Sequence, residues 1–151
     1  MGYKQEIDAL GRWVFGVAGL RSHRLSAAPP QVARPVILWE APSRAKGQNF
    51  GRYNFTKNTS QFGKLYVNNL DDLADLVDQL EKHLGDHDER LPIYESEAED
   101  APQVGWLRRV EIDLSTSQSV DVPITIKYEV TYSRPLPAEV PAATSITSKF
   151  K

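Results

Sequence analysis

The sequence predicts an α+β fold: a mostly antiparallel sheet of four to six strands with two helices packed on one face. Three observations support this class. Val120 to Tyr132 alternates between apolar and polar side chains, which is the period of a strand with one buried face. Residues 3–20 and 69–84 instead repeat apolar side chains every three or four positions, as helices do. The other apolar runs are short and are separated by polar loops.

The first half of the chain predicts one helix, one strand and one hairpin. Tyr3 to Leu20 is an amphipathic helix, and Pro35 to Ala41 is a short strand whose continuous apolar run indicates burial on both faces. Phe50 to Val67 is a hairpin with its turn near Asn58 to Gln61. The segments between them, Arg21 to Ala33 and Pro42 to Gly47, are predicted as loops.

The second helix, Asn69 to Leu84, has clear signals at both ends. Asn69 is a good N-cap, and Asp71 and Asp72 stand in the first turn, where the helix dipole favours anions. Gly85 is predicted to end the helix.

Two further strands and an acidic loop follow this helix. Arg90 to Tyr94 is a short strand, and Glu95 to Gln103 is the acidic loop. Trp106 to Leu114 then forms an antiparallel hairpin with the long strand 120–132, through a polar tip at 115–119. Its side chains Trp106, Val110, Ile112 and Leu114 are predicted to share one face.

Residues 1–133 are predicted to form one domain, since 151 residues are enough for a substantial core. Residues 134–151 form a Pro-rich tail of small side chains, which cannot pack a core and is expected to be disordered or extended over another surface.

Composition excludes several classes. The chain has no cysteine and therefore no disulfide framework or thiolate zinc site, which favours a reducing compartment. No run approaches the roughly 18 apolar residues of a membrane span, so we expect a soluble protein without membrane partners.

Charge is divided unequally along the chain. Residues 1–68 carry ten Lys and Arg against three Asp and Glu, whereas residues 69–100 carry two against twelve. Two surfaces of opposite charge either face each other within one fold or meet head-to-tail between copies, and head-to-tail contacts that close make rings.

Motifs of catalysis are missing from the sequence. There is no Gly-rich phosphate loop, no nucleophile elbow and no supported Ser/His/Asp grouping. His83 and His87 have the spacing of metal ligands on a helix, and a loose divalent site is one reading, but the sequence favours a solvated helix end. We therefore expect no enzyme activity, no catalytic residues, no metal and no cofactor.

Nucleic-acid binding is a weaker alternative. Basic residues between positions 21 and 64 are interleaved with Phe50, Tyr53 and Phe55, a pattern that could stack bases. The slightly acidic pI, near 5.9, and the lack of an RNP-type sequence argue against a dedicated module.

The layout as a whole resembles the tail terminator (tail completion) proteins of long-tailed bacteriophages and related contractile particles. The likeness covers residues 3–133 and is carried by the helix Tyr3–Leu20, the strand Pro35–Ala41, the hairpin Phe50–Val67, the aspartate-rich helix Asn69–Leu84 and the closing strand that ends Tyr128-Glu129-Val130-Thr131-Tyr132. It is a likeness of pattern, because the family has no catalytic signature.

The resemblance implies a structural role in the virion, at the head-proximal end of the tail, after assembly in the bacterial host cytoplasm. Such proteins form a ring, usually of six copies, that ends tube polymerisation and offers a docking surface to the head connector. The implied partners are other copies of the chain, the tail tube protein, connector proteins, the sheath protein where the tail contracts, and DNA in passage. The alternatives are another connector or completion protein, or a small ligand- or nucleic-acid-binding module.

Two sets of residues follow as hypotheses. Subunit contacts are predicted to join the acidic helix residues Asp71, Asp75 and Asp78 to the basic residues Arg44, Lys46 and Arg52 of the next copy. Strand residues predicted to face a channel or a neighbour are Lys57, Lys64, Arg108, Arg109, Lys127 and Glu129.

Overall fold

A computed structural model describes residues 2–28, 31–50, 54–115 and 120–133, with the backbone alone at 48–50 and 133. These residues form two α-helices and seven strands. The helices are α1 (Tyr3–Ala18) and α2 (Leu70–Asp86). The strands are β1 (Arg21–Arg24), β2 (Val36–Trp39), β3 (Ser43–Phe50), β4 (Asn54–Tyr66), β5 (Leu91–Tyr94), β6 (Gln103–Leu114) and β7 (Asp121–Ser133). The tail predicted at 134–151 lies outside the described residues.

The strands form a curled, mostly antiparallel sheet in the order β1-β2-β4-β7-β6-β5. Only the β1–β2 pair is parallel among the described strand pairs. The central pair, β4 and β7, is aligned from Asn54 opposite Ser133 to Tyr66 opposite Asp121. Strand β3 pairs with the first half of β4, on the side away from β7. The α+β class is therefore confirmed.

The sheet has more strands than the predicted four to six, because two segments predicted as loops are strands. Arg21–Arg24 and Ser43–Phe50 are polar, and neither shows a clear apolar alternation. Both lie at a border of the sheet, where one side of the strand has no neighbouring strand among the described residues. A strand in that position needs little apolar side-chain surface, so the sequence signal is weak.

Helix α1 contacts both β1 and β5, which are the two end strands of the sheet. It therefore lies across the opening between the two edges of the curl. Its buried side chains Ile7, Leu10, Trp13 and Val14 join the main core. Helix α2 packs against α1 and β6, so the two helices share one face of the sheet, which we call the inner face.

The alternation predicted for the last strand is confirmed. Val122, Ile124, Ile126, Tyr128 and Val130 are all buried on the inner face. The intervening side chains point to the opposite, outer face, on which Pro123 and Lys127 are exposed. The long strand therefore separates the core from a polar surface.

The hairpin turn predicted near Asn58 to Gln61 is wrong. That segment lies inside β4, and β3 and β4 are joined through residues 51–53, outside the described part of the chain. The polar run has the composition of a turn. However, Thr59 and Gln61 are buried on the inner face, and Gln61 uses its amide to bind main-chain carbonyls.

The start of α2 is as predicted, but its end is not. The Asn69 side chain accepts a hydrogen bond from the Asp72 N–H at 2.8 Å, which confirms the N-cap. The helix continues through Gly85 to Asp86. The chain turns afterwards at Asp88 and Glu89, whose φ angles of 56° and 57° supply the left-handed conformation expected of a glycine.

A β-bulge in β6 changes which side chains face the core. The register with β7 shifts between Arg108 and Glu111, and Arg109 has a φ of 52°. Leu107 is consequently buried, whereas Trp106 is 39% exposed. The prediction that Trp106 shares a face with Val110 is therefore wrong, since the extra residue reverses the alternation.

Candidate functional site

A buried carboxylate forms the centre of a polar cluster between α1 and the sheet. Glu6, in the first turns of α1, has no exposed surface. Arg44 of β3 donates to its two oxygens, with Nη1–Oε1 at 2.5 Å and Nη2–Oε2 at 3.2 Å. The Tyr128 hydroxyl donates to Oε1 at 2.8 Å. The burial of this carboxylate is thus offset by a bidentate guanidinium and a phenol.

A second layer of polar contacts surrounds this pair. The Arg44 Nη2 atom lies 3.4 Å from the Tyr132 hydroxyl, and its guanidinium carbon lies 5.2 Å from the centre of the Tyr3 ring. The Tyr3 hydroxyl donates to the Gln61 side-chain oxygen. The Gln61 amide nitrogen donates to the carbonyls of Glu40 and Phe62 at 2.6 and 2.9 Å.

The electrostatics of the cluster favour its present protonation state. Burial raises the pKa of Tyr128, and the negative charge of Glu6 raises it further, so the phenol stays neutral and donates. Burial alone would lower the pKa of Arg44, but the hydrogen bond and charge of Glu6 outweigh burial and raise it. The guanidinium of Arg44 and the phenol of Tyr128 thus both donate to Glu6, and these hydrogen bonds fix α1 to the sheet.

Glu6 is not among the site residues predicted from the sequence, although its position in the helix gave a signal. It lies three residues before Ala9 and four before Leu10, so it belongs to the buried stripe of α1. Arg44, predicted as a subunit contact, has its guanidinium bound to Glu6 of its own chain.

The acidic residues predicted on α2 lie together on its exposed face. Asp71, Asp75 and Asp78 are all exposed, and no ion-pair partner for them is found within the described part of the chain. Among the basic residues predicted to meet them, Lys46 is exposed on β3. Arg52 lies outside the described residues.

The residues predicted to face a channel or neighbour fall mostly on the outer face. Pairing with β7 places Lys64 and Arg108 there, beside Lys127 and Glu129. The Nζ atom of Lys127 lies 2.8 Å from Oδ2 of Asp113. The exposed Arg109 side chain places Nη1 3.9 Å from Oε2 of Glu129. Lys57 differs, because it lies opposite the buried Val130 and therefore on the inner face.

His83, in α2, and His87, directly after the end of that helix, stack on one another. Their ring centres are 4.0 Å apart, and His87 Nδ1 lies 2.9 Å from the His83 carbonyl oxygen. Burial, together with the neighbouring His87, lowers the pKa of His83. Within the described residues, no group of three or more His, Cys, Asp or Glu side chains is arranged to hold a metal ion.

Comparison with models of known protein families and with curated protein sequences finds no match to this chain. Neither of the helices described above is long and apolar enough to cross a bilayer.

Proposed function

We propose that this protein is a structural subunit that assembles head-to-tail into a ring and acts in a virus particle as the tail terminators it resembles do. The observation that supports this best is a separation of charge on the folded chain. The exposed acidic face of α2, formed by Asp71, Asp75 and Asp78, has no ion-pair partner among the described residues, and neither has the exposed Lys46 of β3.

The positions of these two surfaces favour contact between copies over contact within one chain. Helix α2 packs beside β6, whereas β3 lies beyond β4 on the side away from β7. Strands β4 and β7 therefore stand between the acidic and basic surfaces. A second copy can bring its Lys46 to Asp75 and Asp78 by a heterologous contact, and repetition of such a contact closes a ring when the rotation allows. Arg44 is left out of this contact because Glu6 holds it.

In this proposal the ring, of six copies as is usual in the resembled family, ends polymerisation of the tail tube and offers a surface to the head connector. It works in the virion, at the head-proximal end of the tail. The outer sheet face, with Lys64, Arg108, Lys127 and Glu129, lines the channel or meets a neighbour. That face mixes both signs of charge, which suits passage of DNA better than tight binding.

The experiment is a measurement of native mass by light scattering across a concentration and salt series, with negative-stain images of each sample. We expect rings of one size that weaken as salt screens the charged contact. Asp75→Lys with Asp78→Lys should abolish the rings, and so should Lys46→Glu. Because unlike chains then meet through opposite charges at both surfaces, an equimolar mixture should form rings of alternating chains. A chain carrying all three changes should form rings again.

Glu99→Lys with Asp100→Lys is the matched control, since it reverses two exposed acidic charges outside α2. Its rings should be unchanged. Rings that survive the Asp75 and Asp78 reversal would exclude this contact. A chain that stays monomeric throughout and binds DNA with a steep salt dependence would contradict the ring proposal and favour the nucleic-acid module.

A further inference from the structure

A cavity of about 440 Å³ lies between α1, the end of α2 and β5. Helix α1 lines it with the residues at positions 9, 12, 13, 16 and 17, which share one face of the helix. His83 of α2 and the β5 residues Leu91, Pro92 and Tyr94 complete the lining. A volume of this size is typical of sites for small molecules.

Two of the rings that line the cavity each carry a buried nitrogen without a partner. Trp13 is 5% exposed, and its Nε1–H has no hydrogen-bond partner among the described residues. The same is true of the buried Nδ1 atom of His83. Because buried polar groups are normally hydrogen-bonded, an indole N–H beside a cavity indicates a place for an acceptor atom of a ligand.

Arg12 supplies the one full charge in the lining. Its guanidinium carbon lies 4.3 Å from the centre of the Tyr94 ring, and its Nη2 atom donates to the Ser96 carbonyl at 3.2 Å. These two contacts hold the cation at the mouth of the cavity. No carboxylate is found among the described residues that line it.

His83 adds no positive charge to the cavity at neutral pH. Burial lowers its pKa, and the neighbouring His87 lowers it further, which together outweigh the opposite effect of Asp86. The imidazole is therefore neutral at pH 7. The lining thus combines one guanidinium with neutral groups, and this combination favours an anion over a cation.

The walls of the cavity suit a flat apolar body. Tyr94 and Trp13 offer aromatic rings, and Leu91, Pro92 and Val17 offer aliphatic surface. The cavity opens beside Gly16, which is exposed and where an added Cβ would meet no atom within 4 Å. A small molecule can therefore enter without displacing α1.

We propose that this cavity binds a small aromatic carboxylate. Its ring lies against Leu91, Pro92 and Tyr94, its carboxylate accepts a hydrogen bond from the Trp13 N–H, and the cation of Arg12 stabilises its charge. The ring contact proposed above is independent of this site, because none of the residues assigned to that contact lines the cavity.

The probe is 1-naphthaleneacetate, added to the isotope-labelled full-length chain. The three tryptophans give separate indole N–H signals in a nitrogen–proton correlation spectrum. We expect the Trp13 signal to shift and saturate, with those of Trp39 and Trp106 unchanged. The amine 2-(1-naphthyl)ethylamine has the same ring and chain length with the opposite charge, and should bind at least about tenfold more weakly. Equal binding of the two probes, or a Trp13 signal that does not shift, would overturn the proposal.

A matched pair of tryptophan variants tests the hydrogen bond. Trp13→Phe keeps an aromatic ring but removes the N–H, and should raise the Kd for 1-naphthaleneacetate about tenfold. Trp39→Phe is the control, since the Nε1 atom of Trp39 is also buried and unpartnered among the described residues but Trp39 does not line this cavity. Its Kd should be unchanged. The same Kd in both variants would contradict the assigned donor.

A matched pair of glycine variants tests the entrance. Gly16→Leu places a side chain over the mouth and should abolish binding. Gly85→Leu is the control, because Gly85 is a second helical glycine with open space around it that lies outside the cavity. Leucine favours a helix over glycine, so both variants should fold. A Gly16→Leu chain that binds 1-naphthaleneacetate as tightly as the wild type would exclude this cavity.

Discussion

The carboxylate of Glu6 accepts two hydrogen bonds from the guanidinium of Arg44, at 2.5 and 3.2 Å, in a place where Glu6 has no exposed surface. These two residues join the first helix to an outlying strand of the sheet. A buried ion pair adds little over an apolar pair of the same volume, but loss of one partner leaves an uncompensated charge in the core.

Loss of the Arg44 guanidinium should therefore destabilise the folded chain. Arg44→Met is expected to lower the free energy of unfolding by about 3 kcal/mol, since it leaves the Glu6 carboxylate buried with Tyr128 as its remaining donor. Urea denaturation at pH 7 measures this change. Lys127→Met is the control: its ion pair with Asp113 is exposed, so its removal should cost less than about 1 kcal/mol.

Removing both Glu6 and Arg44 should destabilise the fold less than removing Arg44 alone. Glu6→Met combined with Arg44→Met removes both charges and should recover most of the stability lost in Arg44→Met alone. A double variant less stable than Arg44→Met would show that the two positions do not act as a pair.

Stability should fall in alkaline solution in a way that depends on Tyr128. Burial and the charge of Glu6 raise its folded-state pKa above the ordinary value of 10.0, so its contribution is complete below pH 10 and is lost as the pH rises further. Tyr128→Phe lacks this titration but also loses the bond to Glu6. We expect it to be less stable at pH 8, with the gap to the wild type shrinking by about 1 kcal/mol between pH 10 and 11. A gap that is constant with pH would contradict the assignment.

Gly63 should not tolerate a side chain. A Cβ at this position would lie 2.9 Å from the Leu38 carbonyl oxygen and 3.1 Å from the Trp39 ring. Gly63→Ala is therefore expected to destabilise the fold by about 1–3 kcal/mol, as overpacking does. Gly85→Ala is the matched control, because Gly85 lies inside α2 with open space around it and should gain up to about 1 kcal/mol. Thermal melting of both variants compares them directly.

The cap of α2 should contribute a measurable share of stability. Asn69→Ala removes the acceptor of the Asp72 N–H and should cost about 1 kcal/mol. Asn69→Ser keeps an acceptor at the N-cap without adding a charge beside Asp72, and it should be nearly neutral by the same denaturation assay. Equal losses in the two variants would mean that the side-chain bond does not stabilise the helix.

The parts of the fold that could be predicted are those with a sustained period. Strand β7 and helix α2 each bury one face along their length, so their apolar spacing is regular. Strands β1 and β3 lie at borders of the sheet and carry polar side chains, which leaves little pattern to detect. The bulge in β6 depends on the left-handed backbone conformation of Arg109. Arginine rarely adopts this conformation, so the sequence gives no signal for the bulge.

Among the candidate surface residues, too, only those within a regular periodic element could be placed from the sequence. The aspartates of α2 could be placed on one exposed face because a helix of known period carries them. Arg44 could not be distinguished from Lys46 in the sequence, since both are basic residues of one polar segment. Its partner is far along the chain, and a single sequence gives no sign that Glu6 and Arg44 meet.

The bond between Glu6 and Tyr128 joins residues that are 122 positions apart. During synthesis, the first helix leaves the ribosome long before its partner strand exists. The Glu6 carboxylate and the apolar side chains of this helix therefore lack their partners in the sheet until nearly the whole domain has emerged from the ribosome. Completion of this fold is thus a late event in its synthesis, and the many contacts between distant parts of the chain should make folding slow compared with a helical bundle of the same size.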